Sequence, residues 1–417
     1  MNQFIEYTPL EYLMIDIASN YGEYDGYDLE KQNFEDRITW FKEQEKAGNL
    51  VNLIDTADDK PLYFAGLQAY RDTLDAAPTG YAISLDACSS GLQILAAFAN
   101  CDKSAKRCGV VSTGHREDAY MSLFDDMRAR STVTLQATRK DLKQAVMTSL
   151  YGSTAQPKIL FGKGTPALQL FYDIMESEIP GAWNLNLALK ALWQPFTTQH
   201  AWVMPDGFNV CMDVEDVQVT EVVFDGKPIQ VATRELQGTP KGRSLSPNIV
   251  HSVDGMIVRE MTRRCMHDAR QVQRTSIACQ VAMKRKSQRS TTFGKGRKKD
   301  AVLERVWSRY LSSGFLSARV IDLIDENNVG MVCPYQVMDL INSLPPQSFS
   351  ILSIHDCFKC HPNYGNSLRR QYNQILSELA ASNMLGDIAT QISGTRIKLD
   401  KLGDISKNIL DANYTLS

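Results

Sequence analysis

The sequence has no run of about 18 apolar residues, which excludes a membrane-spanning helix of ordinary length. Its opening, Met-Asn-Gln-Phe-Ile-Glu-Tyr, lacks a basic stretch followed by an apolar core, so no secretory leader is expected. No internal repeat is visible. The nine cysteines fall without framework spacing, which fits a reducing compartment where most thiols act as small buried hydrophobes. An excess of one charge is also missing: a formal net charge of −3 over 417 residues gives no global attraction to nucleic acid, so any basic surface is local. What is present, 43% hydrophobic and 22% charged residues, describes an ordinary soluble globular protein, intracellular and without membrane contact. The length exceeds what one hydrophobic core usually sustains, so two or more lobes are expected.

The most informative segment is Arg139-Lys-Asp-Leu-Lys143-Gln-Ala-Val-Met147-Thr-Ser-Leu-Tyr151-Gly152. At 3.6 residues per turn, positions four apart drift slowly around one face, so Arg139, Lys143, Met147 and Tyr151 can line a single groove. Such a face suits a triphosphate and a base together; a surface helix with solvated cations is the plainer alternative. Upstream, Tyr81, Ile83 and Leu85 alternate with small residues, and Asp86 stands where a strand ends and an apolar helix, Leu92 to Phe98, begins. Downstream, Phe349 to Ile354 reads as a short strand ending in His355-Asp356. Taken singly, such aspartates are more often turn formers or caps. Two of them on neighbouring strands can hold a pair of Mg²⁺ ions about 3.5 to 4 Å apart.

These residues, in this order, resemble the single-subunit DNA-directed RNA polymerases of bacteriophages and mitochondria. Asp86-x4-Gly91-x-Gln93 is similar to the first catalytic motif of that family, Arg139-x3-Lys143-x7-Tyr151-Gly152 to its second, and His355-Asp356-x-Phe358 to its third. The likeness continues through Asp118-x-Tyr120, Trp202-Val-Met-Pro-Asp-Gly-Phe208, Pro247-Asn248-Ile-Val-His251-Ser252-x-Asp254-Gly255 and the closing segment Gly403 to Ser417. It covers residues 1 to about 258 and about 336 to 417.

The resemblance implies an α+β, right-hand polymerase fold with a palm sheet and helical fingers. Residues 1–78 would lead into the palm, 79–115 carry palm and first motif, 116–258 the fingers, 259–335 a basic insert, and 336–417 the rest of the palm. It implies two Mg²⁺ ions at Asp86 and Asp356, with Ala87 beside them, serving in-line attack of an RNA 3′ hydroxyl on a nucleoside triphosphate. Lys143 and Arg139 would neutralise phosphate charge, and Tyr151 would stack under the incoming base pair. The Tyr151 hydroxyl, with His251, would sense the ribose 2′ hydroxyl, Tyr120 and Gly152 would help shape the pocket, and His355 would sit near the primer end. A Klenow-like DNA polymerase is the nearest competitor. That family blocks the 2′ hydroxyl with a glutamate where this chain has Gly91, and ends its third motif in Glu where Cys357 stands here. A catalytically inactive nucleic-acid-binding subunit is the non-enzyme alternative; the joint presence of Asp86, Asp356, Lys143 and Tyr151 weighs against it.

Departures from the family pattern matter as well. Only 85 residues precede Asp86, which leaves no room for the family's thumb and N-terminal promoter region. The expectation is a heterodimeric phage enzyme in the cytoplasm of the infected host, whose second subunit supplies those parts and whose other partners are template DNA, nascent RNA and nucleoside triphosphates. Between Asp254-Gly255 and His355-Asp356 lies a long basic insert in which Arg263, Arg264, Arg270, Arg274, Lys284, Arg285, Lys286, Arg289, Lys295, Arg297, Lys298 and Lys299 meet few acids. Ser287 to Gly296 reads as a mobile loop, and Val302 to Ile324 as two helices. Lys295, Arg297, Lys298 and Lys299 are candidate nucleic-acid contacts; docking of a partner subunit is the other reading. Cys211 to Gln237 has strand character where the family carries a promoter-reading hairpin. Up to Gln230 it sets Asp213, Glu215, Asp216, Glu221 and Asp225 against Lys227 alone, so promoter choice is expected to fall to a recruiting factor or to single-stranded DNA. Cys357-Phe-Lys-Cys360-His361 has haem-attachment or half-zinc spacing but overlaps the third motif. Thr239-Pro-Lys-Gly242-Arg243 copies a family motif out of order and reads as a turn.

Overall fold

The first helix begins on a capping box: Thr8 accepts from the Glu11 amide, the Glu11 carboxylate accepts from the Thr8 amide at 2.8 Å, and Pro9 occupies the first turn. The computed structural model describes residues 3–131, 135, 137–240, 242, 244–284 and 297–417. The lead-in comprises α1 (Pro9–Tyr21), the small hairpin β1 (Glu23–Tyr24) and β2 (Tyr27–Asp28), α2 (Phe34–Lys46) and α3 (Lys60–Leu74). Phe34, Ile38, Trp40 and Phe41 are all buried, as their spacing predicts. Arg37, on the same helix, is buried without a carboxylate partner among the described residues. Its guanidinium donates to the Glu30 and Gln32 carbonyls at 2.7 to 3.1 Å and so pins the 3-10 turn Leu29–Lys31.

The chain continues through β3 (Ile83–Asp86), α4 (Ser90–Ala99), α5 (Asp102–Arg107), α6 (Ala119–Arg130), α7 (Arg139–Leu150), α8 (Ala155–Phe161), α9 (Pro166–Glu178) and α10 (Pro180–Ala191). Two antiparallel hairpins follow, β4 (Gln199–Val203) with β5 (Asn209–Asp213) and β6 (Glu215–Phe224) with β7 (Lys227–Leu236). Then come α11 (Leu245–Cys265), α12 (Ala269–Lys284), α13 (Lys298–Ser313), α14 (Arg319–Leu323) and α15 (Pro334–Ser343). The chain closes with β8 (Ile351–Ile354), β9 (Cys357–Cys360), α16 (Gly365–Ala381), α17 (Met384–Ser393) and α18 (Ser406–Ile409).

One small sheet joins the two aspartate-bearing segments. Its order is β3-β9-β8, all antiparallel, with Asp86 opposite Cys357 and Ile83 opposite Cys360. Ile83, Leu85, Phe358 and Cys360 point to one buried face, as the period of two requires. Helices α4 and α16 meet across that core, where the Tyr372 hydroxyl donates to Gln93 at 3.1 Å. Gln93 in turn holds the Thr415 carbonyl at 3.0 Å, and Ser417 pairs with the Asp86 backbone. On the lead-in side, buried Asp16 of α1 accepts from the Ser84 amide (2.7 Å) and the Tyr81 hydroxyl (2.6 Å), fixing α1 to β3. The alternation of burial along β9 also settles the Cys357/Cys360 spacing. Three apart on a strand, the two thiols face opposite sides of the sheet, and Cys360 lies in the core.

The insert folds. Helices α12 to α15 enclose a core of their own around Cys279, Leu303, Val306, Ile321, Val337 and Leu340, so this unit runs past the expected boundary at 335 to the end of α15. It is bolted to α11 at the fully buried Glu260, which accepts from Ser317 (2.5 Å) and the Ala318 amide (2.9 Å) and pairs with Arg263 and Arg264. The expectation that the insert's cations meet few acids is overturned for four of them. Arg263 also pairs with Asp206, Arg264 with Glu378, Arg297 with Asp300 and Asp325, and Lys299 approaches Asp325 at 3.9 Å. Most of these acids are remote in sequence, so only the tertiary fold brings them in. The two helices expected over Val302 to Ile324 are α13 and α14. Arg285, Lys286, Arg289, Lys295 and the loop Ser287 to Gly296 lie outside the described residues, as do Lys241 and Arg243.

Candidate active site

Asp86 ends β3, and His355-Asp356 forms the two-residue turn joining β8 to β9, whose last and first residues, Ile354 and Cys357, are paired. The Ala87 amide donates to the Asp356 carbonyl at 3.2 Å, so the register of the sheet sets the two aspartates side by side. His355 has φ +57°, a conformation that glycine normally takes in such turns and that costs other residues about 1 kcal/mol. Asp25, Ala76, Asn100 and Asp225 share this positive φ, but of the five only His355 lines the cleft among the described residues.

The cleft has a volume of about 510 Å³ and is lined by Asp86, Ala87, Gly91, Tyr120, Arg139, Lys143, Met147, Tyr151, His251, His355 and Asp356. Every catalytic, metal and substrate residue expected from the sequence is thus in one place except Gly152. That glycine is buried just behind, with φ +87°, and ends α7 as a left-handed cap directly after Tyr151. The stepwise face of α7 is therefore real, and Thr138 with Asp141 starts it on a capping box. Arg139 is held by Asp118, whose carboxylate accepts from Nε at 2.6 Å and also caps α6. Lys143 lies over the Tyr120 ring at 5.6 Å, and the Tyr120 hydroxyl meets Ser89 at 3.0 Å.

The α11 side supplies the rest. Trp202, from the Trp202 to Phe208 motif, donates through its indole to Ser252 at 3.1 Å and so orients the helix turn bearing His251. The His251 ring meets Tyr151 edge-on at 5.1 Å between centroids. A Cβ on Gly91 would lie 3.0 Å from the Tyr151 hydroxyl, closer than nearly all real contacts, so a larger side chain there would crowd the tyrosine.

Several charged residues of the cleft, Glu117 and Asp118 among them, have no role in the sequence-level assignment. Asp254 lines the cleft one helical turn after His251, a spacing of three that put it on the same face and would have found it. Glu30, Lys31 and Arg116 also line the cleft. They arrive from the lead-in and a loop, and nothing local in the sequence marks them.

Electrostatically the cleft is under tension. Burial, and then the charge of Asp356, push Asp86 from the ordinary 3.8 to about 6. The same two causes, in the same order, raise Asp254 to about 6. Burial and the nearby Asp254 and Asp356 raise the Tyr151 hydroxyl, which stays protonated and able to donate. Among the described residues, neither Asp86 nor Asp356 has an ion-pair partner, and Lys31 in the same cleft pairs with Glu30. No three His, Cys, Asp or Glu side chains of the described residues converge on one point. Two unpaired carboxylates and a backbone oxygen are nevertheless the sparse oxygen set that suits Mg²⁺, which keeps waters and substrate phosphates in its shell.

The remaining sequence-level candidates lie elsewhere. Arg297, Lys298 and Lys299 stand at the start of α13, away from the cleft, and Arg297 is tied to Asp300 and Asp325. Of the stretch from Cys211 to Gln237 expected to have strand character, Glu215 to Leu236 form the β6–β7 hairpin, exposed along nearly its whole length, while Cys211 lies in β5 and pairs with β4. Among the described residues no helix is long and apolar enough to cross a membrane.

Compared with known sequences, residues 5–158 match the model of a family described as DNA-dependent RNA polymerase. The matched stretch holds Asp86, Gly91, Tyr120 and the whole of α7 and ends before α11 and the His355-Asp356 turn. No curated protein matches the chain. The match indicates an enzyme, a DNA-directed RNA polymerase of the nucleotidyltransferase class.

Proposed function

We propose that this chain is the catalytic part of a phage-type RNA polymerase that extends an RNA 3′ end on a DNA template by nucleotidyl transfer from nucleoside triphosphates. The observation that carries the reading is the convergence, in one cleft, of the Asp86/Asp356 pair with the Arg139, Lys143 and Tyr151 face of α7. Asp86 and Asp356, with the Ala87 carbonyl, are the residues that would hold two Mg²⁺ ions. When bound, these ions supply the neutralising charge and Lewis acidity that in-line displacement at phosphorus requires.

The chain's own groups do the rest. Lys143 and Arg139 face the triphosphate, where negative charge grows on the leaving pyrophosphate and fixed cations are worth most. Asp118 keeps the Arg139 guanidinium in place before substrate arrives. Tyr151 stands under the incoming base pair, and its protonated hydroxyl, beside His251, meets the ribose 2′ hydroxyl. Tyr120 and Ser89 close the side of that pocket, and His355 sits at the primer end. Gly91 supports ribonucleotide over deoxyribonucleotide use, because an acidic side chain at that position would occupy the space next to the Tyr151 hydroxyl.

In this reading the duplex-wrapping thumb and promoter-binding parts come from outside these 417 residues, as a second polypeptide of a heterodimer, and promoter choice comes from a recruiting factor. Copurification from the native source identifies that partner. The activity itself is tested with Asp356→Asn on a primed RNA–DNA scaffold in the presence of Mg²⁺. Nucleotide addition should fall by at least about a thousandfold with scaffold affinity retained. Retained addition sinks the assignment of the metal-binding pair, and preferential incorporation of deoxyribonucleotides by the unsubstituted enzyme sinks the RNA polymerase reading.

A further inference from the structure

We propose that the outer face of α12 is a nucleic-acid-binding surface, separate from the catalytic cleft, that grips the sugar–phosphate backbone through Arg270, Arg274 and Lys284. Residues 269–299 contain ten Lys and Arg and no Asp or Glu, in a chain whose net charge is −3. This segment is therefore strongly basic, while the rest of the chain, with 35 of the 45 Lys and Arg, carries an excess of acids. A polyanion is drawn to such a segment.

The orientation of α12 decides which of its residues meet a ligand. Its inner side is fixed by Ala278 and Cys279 in the insert's core, and by Thr275 and Gln271, which donate to the Ile321 carbonyl at 3.0 and 2.9 Å. Arg270, Arg274, Ile277, Val281 and Lys284, at steps of four, three, four and three, consequently form one outward stripe, and all are exposed. Among the described residues no carboxylate pairs with these three cations, whereas Arg297 and Lys299 on α13 lean on Asp300 and Asp325. The candidate contacts named from sequence at 297 and 299 thus lean on acids inside the fold, whereas exposed Lys298 and the three α12 cations have no ion-pair partner among the described residues. From Arg270 to Lys284 the stripe runs about 21 Å, the length of about six backbone steps of one DNA strand. Ile277 (53% exposed) and Val281 (40% exposed) lie between the cations, where aliphatic contact with sugars fits and solvation alone gives no reason for them.

The position suits nucleic acid flanking the reaction centre. Asp254 of the cleft and Cys265 at the end of α11 are about 16 Å apart along that helix, and α12 starts four residues later. The inference rests on the polymerase reading only for the identity of the polymer.

The test uses the full chain, fluorescein-labelled duplex DNA and single-stranded DNA, and a poly-glutamate chain as a non-nucleic polyanion. Replacing Arg270, Arg274 and Lys284 together by Gln should lower the slope of log affinity against log salt by about 2 to 3 on at least one DNA. The all-lysine version, Arg270→Lys with Arg274→Lys, should keep the slope, since backbone phosphates need charge and not a particular donor geometry. The arm that loses slope tells which form of DNA the surface holds. An unchanged slope in the Gln variant, absent DNA binding by the unsubstituted chain, or an equal loss towards poly-glutamate overturns the proposal, the last pointing to an acidic protein surface. Asp356→Asn, expected to abolish nucleotide addition, should bind both DNAs like the unsubstituted chain, so failure of the polymerase reading and failure of this surface are told apart.

Discussion

In the catalytic cleft, Asp86, Asp254 and Asp356 face a common space without ion pairs among the described residues, and two of the three carboxyls are held near 6 by burial and mutual repulsion. In the insert, Arg297 is gripped by Asp300 and Asp325, and at its seam with the rest of the chain Arg264 is gripped by Glu260 and Glu378. The first region withholds compensation from these three aspartates, although it pairs Arg139 with Asp118 and Lys31 with Glu30, and the second supplies it to these two arginines. Uncompensated buried charge is costly, so it persists where a ligand completes it; compensated charge holds elements together.

This contrast can be broken at several points. The largest effect is expected at Lys143: its replacement by Ala should lower nucleotide addition by about a hundredfold to a thousandfold with little change in stability, because it is exposed and acts on developing charge. Single-turnover kinetics on a primed scaffold checks this, and a loss under tenfold would remove Lys143 from the phosphate site.

Next is Glu260, the bolt of the insert. Glu260→Gln leaves Arg264 with a single acidic partner and weakens the Ser317 and Ala318 bonds, at a cost of about 3 kcal/mol in chemical denaturation. An unchanged denaturation midpoint would mean that this buried pair is not what holds the insert.

A smaller effect concerns pH. Asp86 and Asp254 have folded values raised from 3.8 to about 6, so the stabilisation they contribute is complete below about 4 and is lost as pH rises through 6. A cation bound between ionised carboxylates reverses that loss. Added Mg²⁺ should therefore raise the melting temperature by a few degrees at about pH 7.5 and by much less at about pH 5. Thermal shift with and without Mg²⁺ decides it, and equal shifts at both values would separate cation binding from these carboxyls.

The smallest effect is expected at Arg297. Because Asp300 and Asp325 already occupy its guanidinium, Arg297→Gln should leave the salt slope of DNA binding unchanged, whereas a free phosphate contact would contribute a change of about one.

Much of the site could be read from sequence because its pieces are local. A strand ending in Asp86, a helix with Arg139, Lys143 and Tyr151 at steps of four, and a turn at His355-Asp356 each announce themselves within a dozen residues, and the likeness to RNA polymerases ordered them. Asp254 is equally legible, one turn beyond His251 on the same helix. Lys31 was not legible: it reaches the cleft because Arg37 pins its turn by carbonyl bonds, a contact with no pattern in the chain. The pairing of Arg263, Arg264 and Arg297 was misjudged for a related reason, since a charge run looks free when its counter-ions lie far along the chain.

By itself, the sequence determined the elements, their faces and the chemistry each one carries, because helix and strand periodicity and capping act over a few residues. Only the tertiary structure decided which of those faces share a cleft and which cations remain available. Sheet register sets Asp86 beside Asp356, and packing of α12 on its core turns three unpaired cations outward, both through contacts between segments that are distant in the chain.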